Sequence, residues 1–256
     1  MTDDTVRRLR AAGCVFAEDE AALLIAEART DAHLEQLVAA RVSGLPLEHV
    51  LGWVEFCGDR YRIGPEVFVP RPRSAALVRE AVLIAAPNAT ILDLCCGCGA
   101  VGIAVSRRVS GSRLYLADLD PRATEWARLN GAPYGAEVFD SDLFDSLPAH
   151  LRGQLDLITV VAPYVPTEQI ALLPHEARDF EPTMSLDGGA DGLDILRRIL
   201  REAPEWLRPG GHLVTEVAEE QVLSISEDKN WTVRVNTDDD GATVAVFTLL
   251  DPTSEG

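Results

Sequence analysis

The stretch Ile91-Leu92-Asp93-Leu94-Cys95-Cys96-Gly97-Cys98-Gly99-Ala100-Val101-Gly102 reads as a buried strand that runs through a turn of small residues into a helix. Gly97 and Gly99 permit tight bending there and let a ligand approach the backbone closely. Downstream, apolar runs recur at 113–117, 137–139, 155–160, 212–217, 231–236 and 243–249, with helix-like segments between most of them. Together with the strand at 90–94 this alternation predicts an α/β fold: a doubly wound parallel sheet that binds ligands at the carboxyl ends of its strands. The last two runs lie too close together for a crossover helix, so they predict a terminal antiparallel pair.

Upstream, residues 5–42 read as helical, with Val6, Leu9, Leu23, Leu34, Leu37 and Val38 near a 3.6-residue period. Asp31 is placed to cap a helix reaching about Arg41, and Gly44-Leu45-Pro46 ends the pattern. From Gly52 to Val69, alternating Phe56, Tyr61, Ile63 and Phe68 predict a β-hairpin, with turns at Gly58-Asp59 and Gly64-Pro65. Pro70-Arg71-Pro72 is a stiff connector into a helix from Ser74 to Ala86. The chain thus divides into a helical domain (1–50), a hairpin connector (51–73) and a Rossmann-like domain (74–256).

The 256 residues are 47% hydrophobic and 25% charged, which is ample for a packed core. No apolar run reaches 18 residues and the chain opens on acids, so neither a membrane span nor an export signal is expected. Three of the five cysteines crowd at Cys95, Cys96 and Cys98, which suits a reducing cytoplasm better than a disulfide framework. A net charge of −18 repels phosphate backbones and argues against nucleic acid as partner, although Arg60, Arg62, Arg71, Arg73 and Arg79 could serve a local contact. No metal is expected, because no second cysteine or histidine pair completes a ligand set.

Four places carry chemistry. Besides the glycine turn, whose Gly97, Gly99 and Gly102 also satisfy the dinucleotide pattern GxGxxG, Asp118 ends the next strand and is placed to accept both ribose hydroxyls of an adenosine ligand. Asp120, followed by Pro121, reads more simply as a helix cap. Asp142 in Ser141-Asp142-Leu143-Phe144 can accept from an adenine amino group. Val161-Ala162-Pro163-Tyr164 closes the fourth strand and offers a shaped wall with one aromatic face.

In order and separation these segments resemble the HemK-type protein-glutamine methyltransferases, which use S-adenosylmethionine. The resemblance runs from about Gly44 to Gln221. It includes Gly44 to Gly52, Val67 to Ser74, Asp93 to Gly99, Pro163 to Thr167, Glu176 to Asp179 and Ser185 to Leu193. It implies a class I methyltransferase fold with seven strands, the last antiparallel, and an N-terminal helical domain on the acceptor side. It implies S-adenosylmethionine held by Asp93, Cys95, Gly97, Gly99, Asp118, Leu119, Asp142 and Leu143, with the acceptor positioned by Val161, Ala162, Pro163 and Tyr164.

Val161 stands where the family has an asparagine, whose side chain and the following carbonyl hold the acceptor amide; Ala75 likewise replaces a usual acid. A site built around one substrate hydrogen bond loses orders of magnitude without it. The sequence therefore leads to the expectation of a diverged methyltransferase acting on a small aromatic or indole-like acceptor in specialised metabolism, as a monomer or homodimer. Release-factor glutamine methylation, nucleic-acid amino methylation and cofactor binding without catalysis stay open beside it.

Overall fold

The computed structural model describes residues 2–225 and 229–250. Three helices, α1 (Thr2–Ala11), α2 (Ala17–Glu27) and α3 (Asp31–Val42), pack around a small core of Leu9, Ala21, Leu24, Leu34 and Val38. The cap of α3 is Thr30 rather than Asp31: Thr30 is extended, and its hydroxyl accepts from the His33 amide at 3.1 Å. Asp31 is instead the first helical residue, where its charge favours the positive end of the helix. After Pro46 the sequence pattern missed a single-turn helix, α4 (Leu47–Leu51).

The hairpin is formed by β1 (Trp53–Phe56) and β2 (Asp59–Arg62), which pair antiparallel. It is shorter than the alternation suggested, and Phe68 lies outside it. Gly64-Pro65 interrupts the pairing, since proline has no amide to donate. Helix α5 (Ala75–Ile84) follows the proline connector.

The remaining strands are β3 (Thr90–Leu94), β4 (Arg113–Asp118), β5 (Glu137–Asp140), β6 (Leu155–Val160), β7 (Leu207–Glu216), β8 (Trp231–Thr237) and β9 (Thr243–Leu249). They form one sheet in the order β5-β4-β3-β6-β7-β9-β8. The first five run parallel, and β9 is antiparallel to both β7 and β8. Every residue of β3 is buried, as a central strand covered on both faces requires.

The helices α6 (Ala100–Ser106), α7 (Pro121–Gly131), α8 (His175–Phe180) and α9 (Asp194–Glu202) complete the chain. On one face Ile91, Leu116, Leu157 and Val214 pack with residues of α5, α6 and α7 and with the hairpin's Tyr61 and Ile63; on the other Leu92, Ile158 and Leu213 pack with residues of α9 and with Trp206.

Two polar ties hold the front of the molecule to this sheet. Asn130 of α7 exchanges hydrogen bonds with the Arg62 backbone and also donates to the Cys98 carbonyl at 2.9 Å, so hairpin and glycine turn share one anchor. Arg41, 6% exposed, reaches Glu20 of α2 at 2.6 Å and Glu176 of α8 at 2.7 Å. Three helices of different origin meet on that one guanidinium.

Candidate active site

A cleft opens over the carboxyl ends of β3, β4, β5 and β6. Its floor is Asp93, the turn Cys95 to Cys98, Asp118 to Asp120 and Ser141 to Leu143; Val161 and Pro163 form one wall. Val67, Phe68 and Pro70 of the connector and Pro182, Met184 and Ser185 face them. Val67, Phe68, Pro70 and Ser185 fall in stretches that carry the family resemblance but were not named as site residues, and Pro182 and Met184 lie outside those stretches.

Asp93 is buried at the centre. Its Oδ2 accepts from the Gly102 amide at 2.9 Å and its Oδ1 from the Thr159 hydroxyl at 2.7 Å. Burial pushes its carboxyl up to about 7; Thr159 and Gly102 oppose the rise, and the nearby charge of Asp118 adds to it. Gly102 allows the closeness, since a Cβ there would stand 2.7 Å from the Asp93 Cβ. The third glycine of the GxGxxG pattern thus packs helix against strand and does not line the cleft.

Asp118 ties two turns together. One oxygen accepts from the Gly97 amide at 2.8 Å and the other from the Asp120 amide at 2.9 Å. Each oxygen keeps a further lone pair for a ligand. Burial raises its pKa, and those two backbone hydrogen bonds lower it in part. Asp120 caps α7 by accepting from the Arg122 amide at 2.9 Å, as its position before Pro121 predicts.

Cys95 lines the cleft with a left-handed φ of 51°, and Leu143 does so at 49°. Leu119 is 53% exposed at the cleft's edge, an apolar surface that a ligand can cover. Gly99 is not at the cleft. It starts α6 in the left-handed region and faces the Leu116 side chain, so of the two turn glycines only Gly97 touches the open space. Asp142 lines the cleft and pairs with Arg198 of α9 at 3.0 Å, a partner 56 residues away that no spacing signals. Burial raises the thiols of Cys95, Cys96 and Cys98, which favours their neutral forms. Among the described residues no group of three His, Cys, Asp or Glu side chains converges as a metal site.

The expected wall Val161 to Tyr164 divides. Val161 and Pro163 line the cleft, Ala162 is buried behind it, and Tyr164 faces a neighbouring cavity with Arg73 and Glu216. Arg73 lies over the Tyr164 ring at 4.7 Å. The backbone after Pro163 is clamped by the segment 186–192: Val165 donates to the Leu186 carbonyl at 3.0 Å and Gly188 to the Val165 carbonyl at 2.9 Å. That pairing fixes which way Tyr164 points, so its ring is not the cleft's aromatic face.

Sheet order, antiparallel last strand and cleft position define a class I S-adenosylmethionine-dependent methyltransferase. Residues 73–171 match the methyltransferase small domain family. The fold is shared with a methyltransferase from Pyrococcus furiosus (TM-score 0.55, 16% identity, 75% of this chain and 89% of that one). It is shared also with a ribosomal protein L11 methylase from Lactobacillus delbrueckii subsp. bulgaricus (TM-score 0.51, 13% identity, 71% and 81%).

Sequence relatives are nearer. Release factor glutamine methyltransferases of Streptomyces coelicolor, Mycolicibacterium smegmatis and Bifidobacterium longum are 34%, 36% and 32% identical. The matches cover 81%, 78% and 82% of this chain and 76%, 73% and 83% of theirs. That of Geobacter sulfurreducens is 37% identical over 71% of this chain and 63% of its own length. The chain belongs to the release factor glutamine methyltransferase family.

These relatives overturn the expectation of a small aromatic acceptor in specialised metabolism, and with it the small molecule as partner. That reading let one side chain, Val161, decide the whole acceptor. It also relied on Tyr164 as a stacking face, and Tyr164 points elsewhere. No helix among the described residues is long and apolar enough to cross a membrane.

Proposed function

We propose that this enzyme methylates the side-chain amide nitrogen of a glutamine in a peptide chain release factor, in the cytoplasm. The consistent naming of relatives that align with most of the chain carries this reading. In it, residues 74–256 form the catalytic unit, and the helices of 1–50 with the connector 51–73 form the acceptor side.

S-adenosylmethionine suits the cleft on chemical grounds: carboxylates with spare lone pairs, a cleft-lining turn at Cys95 to Gly97, and apolar surface at Leu119 and Leu143. Asp118 takes the ribose hydroxyls, Asp142 the adenine amino group, and Asp93 with Gly97 the remaining, positively charged part. Gly99 acts through the shape of the turn. Val161 and Pro163 bound the space for the acceptor, and the Ala162 carbonyl accepts one of its N–H groups. Bound cofactor supplies an electrophilic methyl group, so the protein's task is mainly proximity and in-line alignment.

Purified enzyme given labelled S-adenosylmethionine and a release-factor Gly-Gly-Gln domain should label that glutamine, and a Gln→Ala substrate should take none. Absence of label on the intact domain would refute the reading. Asp118→Ala tests the cofactor placement separately. Losing a charge-assisted contact to the ribose removes about 3 kcal/mol, or roughly a hundredfold in cofactor affinity by titration calorimetry. An unchanged affinity would move the ribose elsewhere.

A further inference from the structure

We infer that Glu216 supplies what position 161 lacks: its carboxylate accepts an N–H of the acceptor amide and takes the proton released on methyl transfer. The inference rests on the proposed glutamine acceptor. Strands β6 and β7 are parallel, with Val160 paired to Thr215. β6 ends at Val160 and Glu216 is the last residue of β7; carried one residue further, the register sets Val161 beside Glu216, on the same face and one strand spacing, ~4.8 Å, away. Asp93 and Thr159 are paired on that face two residues earlier. A polar group missing from the end of β6 therefore has a neighbour of the right chemistry at the end of β7.

The side chain is 7% exposed, and only one of its oxygens is engaged by a cation, Oε2 with the Arg73 Nε at 3.4 Å. The other, Oε1, is buried with no hydrogen-bond partner. A buried acceptor left empty is costly, and native structures rarely tolerate one without a ligand or a role. Glu216 lines the cavity that holds Tyr164, and it interacts with the hydroxyl of Ser74, which lines the cofactor cleft. It thus stands at the border of the two spaces, beside the wall where the acceptor must lie. An amide NH2 brings two donors. With one on the Ala162 carbonyl and one on Glu216, the nitrogen's electron pair is turned toward the methyl group.

The step balances. The nitrogen pair forms the N–CH3 bond while the carbon–sulfur bond of the sulfonium breaks, and its pair stays on sulfur as a neutral thioether. The N–H proton passes to Glu216 and then to water. Burial raises the proton affinity of Glu216, while Ser74 and Arg73 pull the other way, which suits a group that accepts a proton and returns it.

The test is Glu216→Gln. Arg73 can only donate, so the glutamine must give it the amide oxygen and present NH2 to the acceptor, donor against donor. Transfer to the release-factor domain should fall about a hundredfold in kcat, the scale of a lost proton acceptor, with cofactor affinity within about twofold of wild type. Adding Val161→Asn to that variant should restore at least about tenfold, because it returns an acceptor from the neighbouring strand. Unimpaired transfer by Glu216→Gln would overturn the inference and leave the glutamine reading standing. Impaired transfer with equally impaired cofactor binding, or with no rescue by Val161→Asn, would mark a structural role and overturn it too. A wild-type enzyme that never labels the glutamine would overturn both.

Discussion

Alanine at position 192 should reduce methyl transfer about a thousandfold while leaving the cofactor cleft largely able to bind its ligand. Gly192 has a φ of +78°, where an L side chain costs about 1–2 kcal/mol. The new Cβ would stand 2.1 Å from the Tyr164 carbonyl oxygen and 2.7 Å from the Gln221 Nε2. Neither can yield freely. Gln221 donates to the carbonyls of Asp191 at 3.0 Å and Tyr164 at 3.4 Å, and the Tyr164 backbone continues directly into Pro163, which lines the cleft. Overpacking of this kind costs a further 1–3 kcal/mol or so. Together these reach about 4 kcal/mol, roughly a thousandfold in rate if the loop moves rather than the fold failing. Gly210→Ala is the matched control. It shares the left-handed backbone at +73° but has open space at the Cβ, so it should lose about 1 kcal/mol of stability and no transfer. If Gly192→Ala kept more than about a tenth of the rate, the segment 186–192 would not be holding the acceptor wall.

That clamp shows how far the sequence could be read. The ends of β3, β6 and β9 fall where the apolar runs at 90–94, 155–160 and 243–249 end, because strands buried on two faces have no polar alternative to confuse their limits. By contrast β7 begins at Leu207, five residues before the expected start. It carries Pro209 and Gly210 through an irregularity opposite Leu155 and Leu157, where a run of turn formers hides a strand. Local rules predicted the Asp120 cap; they chose Asp31 over Thr30, two residues equally able to cap, because only the extended backbone at Thr30 separates them.

The site divides along the same line. Asp93, Cys95, Gly97, Asp118, Leu119, Asp142 and Leu143 reach one cleft because each lies at or just after the carboxyl end of a parallel strand, and strand ends are legible. The contacts that tune them are not. Thr159 under Asp93 and Arg198 on Asp142 come from sheet register and helix packing between residues 56 or more apart. The acceptor was misjudged because the one visible departure, valine at position 161, was allowed to decide it, and the relatives that align with most of the chain overturn that choice.

Wild-type stability, compared with that of Asp93→Asn, should fall by about 4 kcal/mol as pH rises from below 4 to above 8, about 3 of it between pH 5 and pH 8. The carboxyl of Asp93 moves from an ordinary 3.8 to about 7 on folding, chiefly through burial. A raised folded value means that the native state holds the proton more tightly than the unfolded chain. The stabilisation is therefore complete below the unfolded value and is lost as pH climbs through about 7. Asparagine carries no such proton, and its amide can still meet the Thr159 hydroxyl and accept from Gly102. Urea denaturation of both proteins across this range reads the difference directly. A flat difference would mean that the two hydrogen bonds at 2.7 and 2.9 Å hold the carboxylate charged in spite of its burial. On the proposed cofactor placement the same charge is drawn out by the positive groups of S-adenosylmethionine, so adding cofactor should narrow the pH difference in wild type and leave Asp93→Asn unaffected. Narrowing in both proteins would assign the proton to another group, and no narrowing in either would place those positive groups away from Asp93.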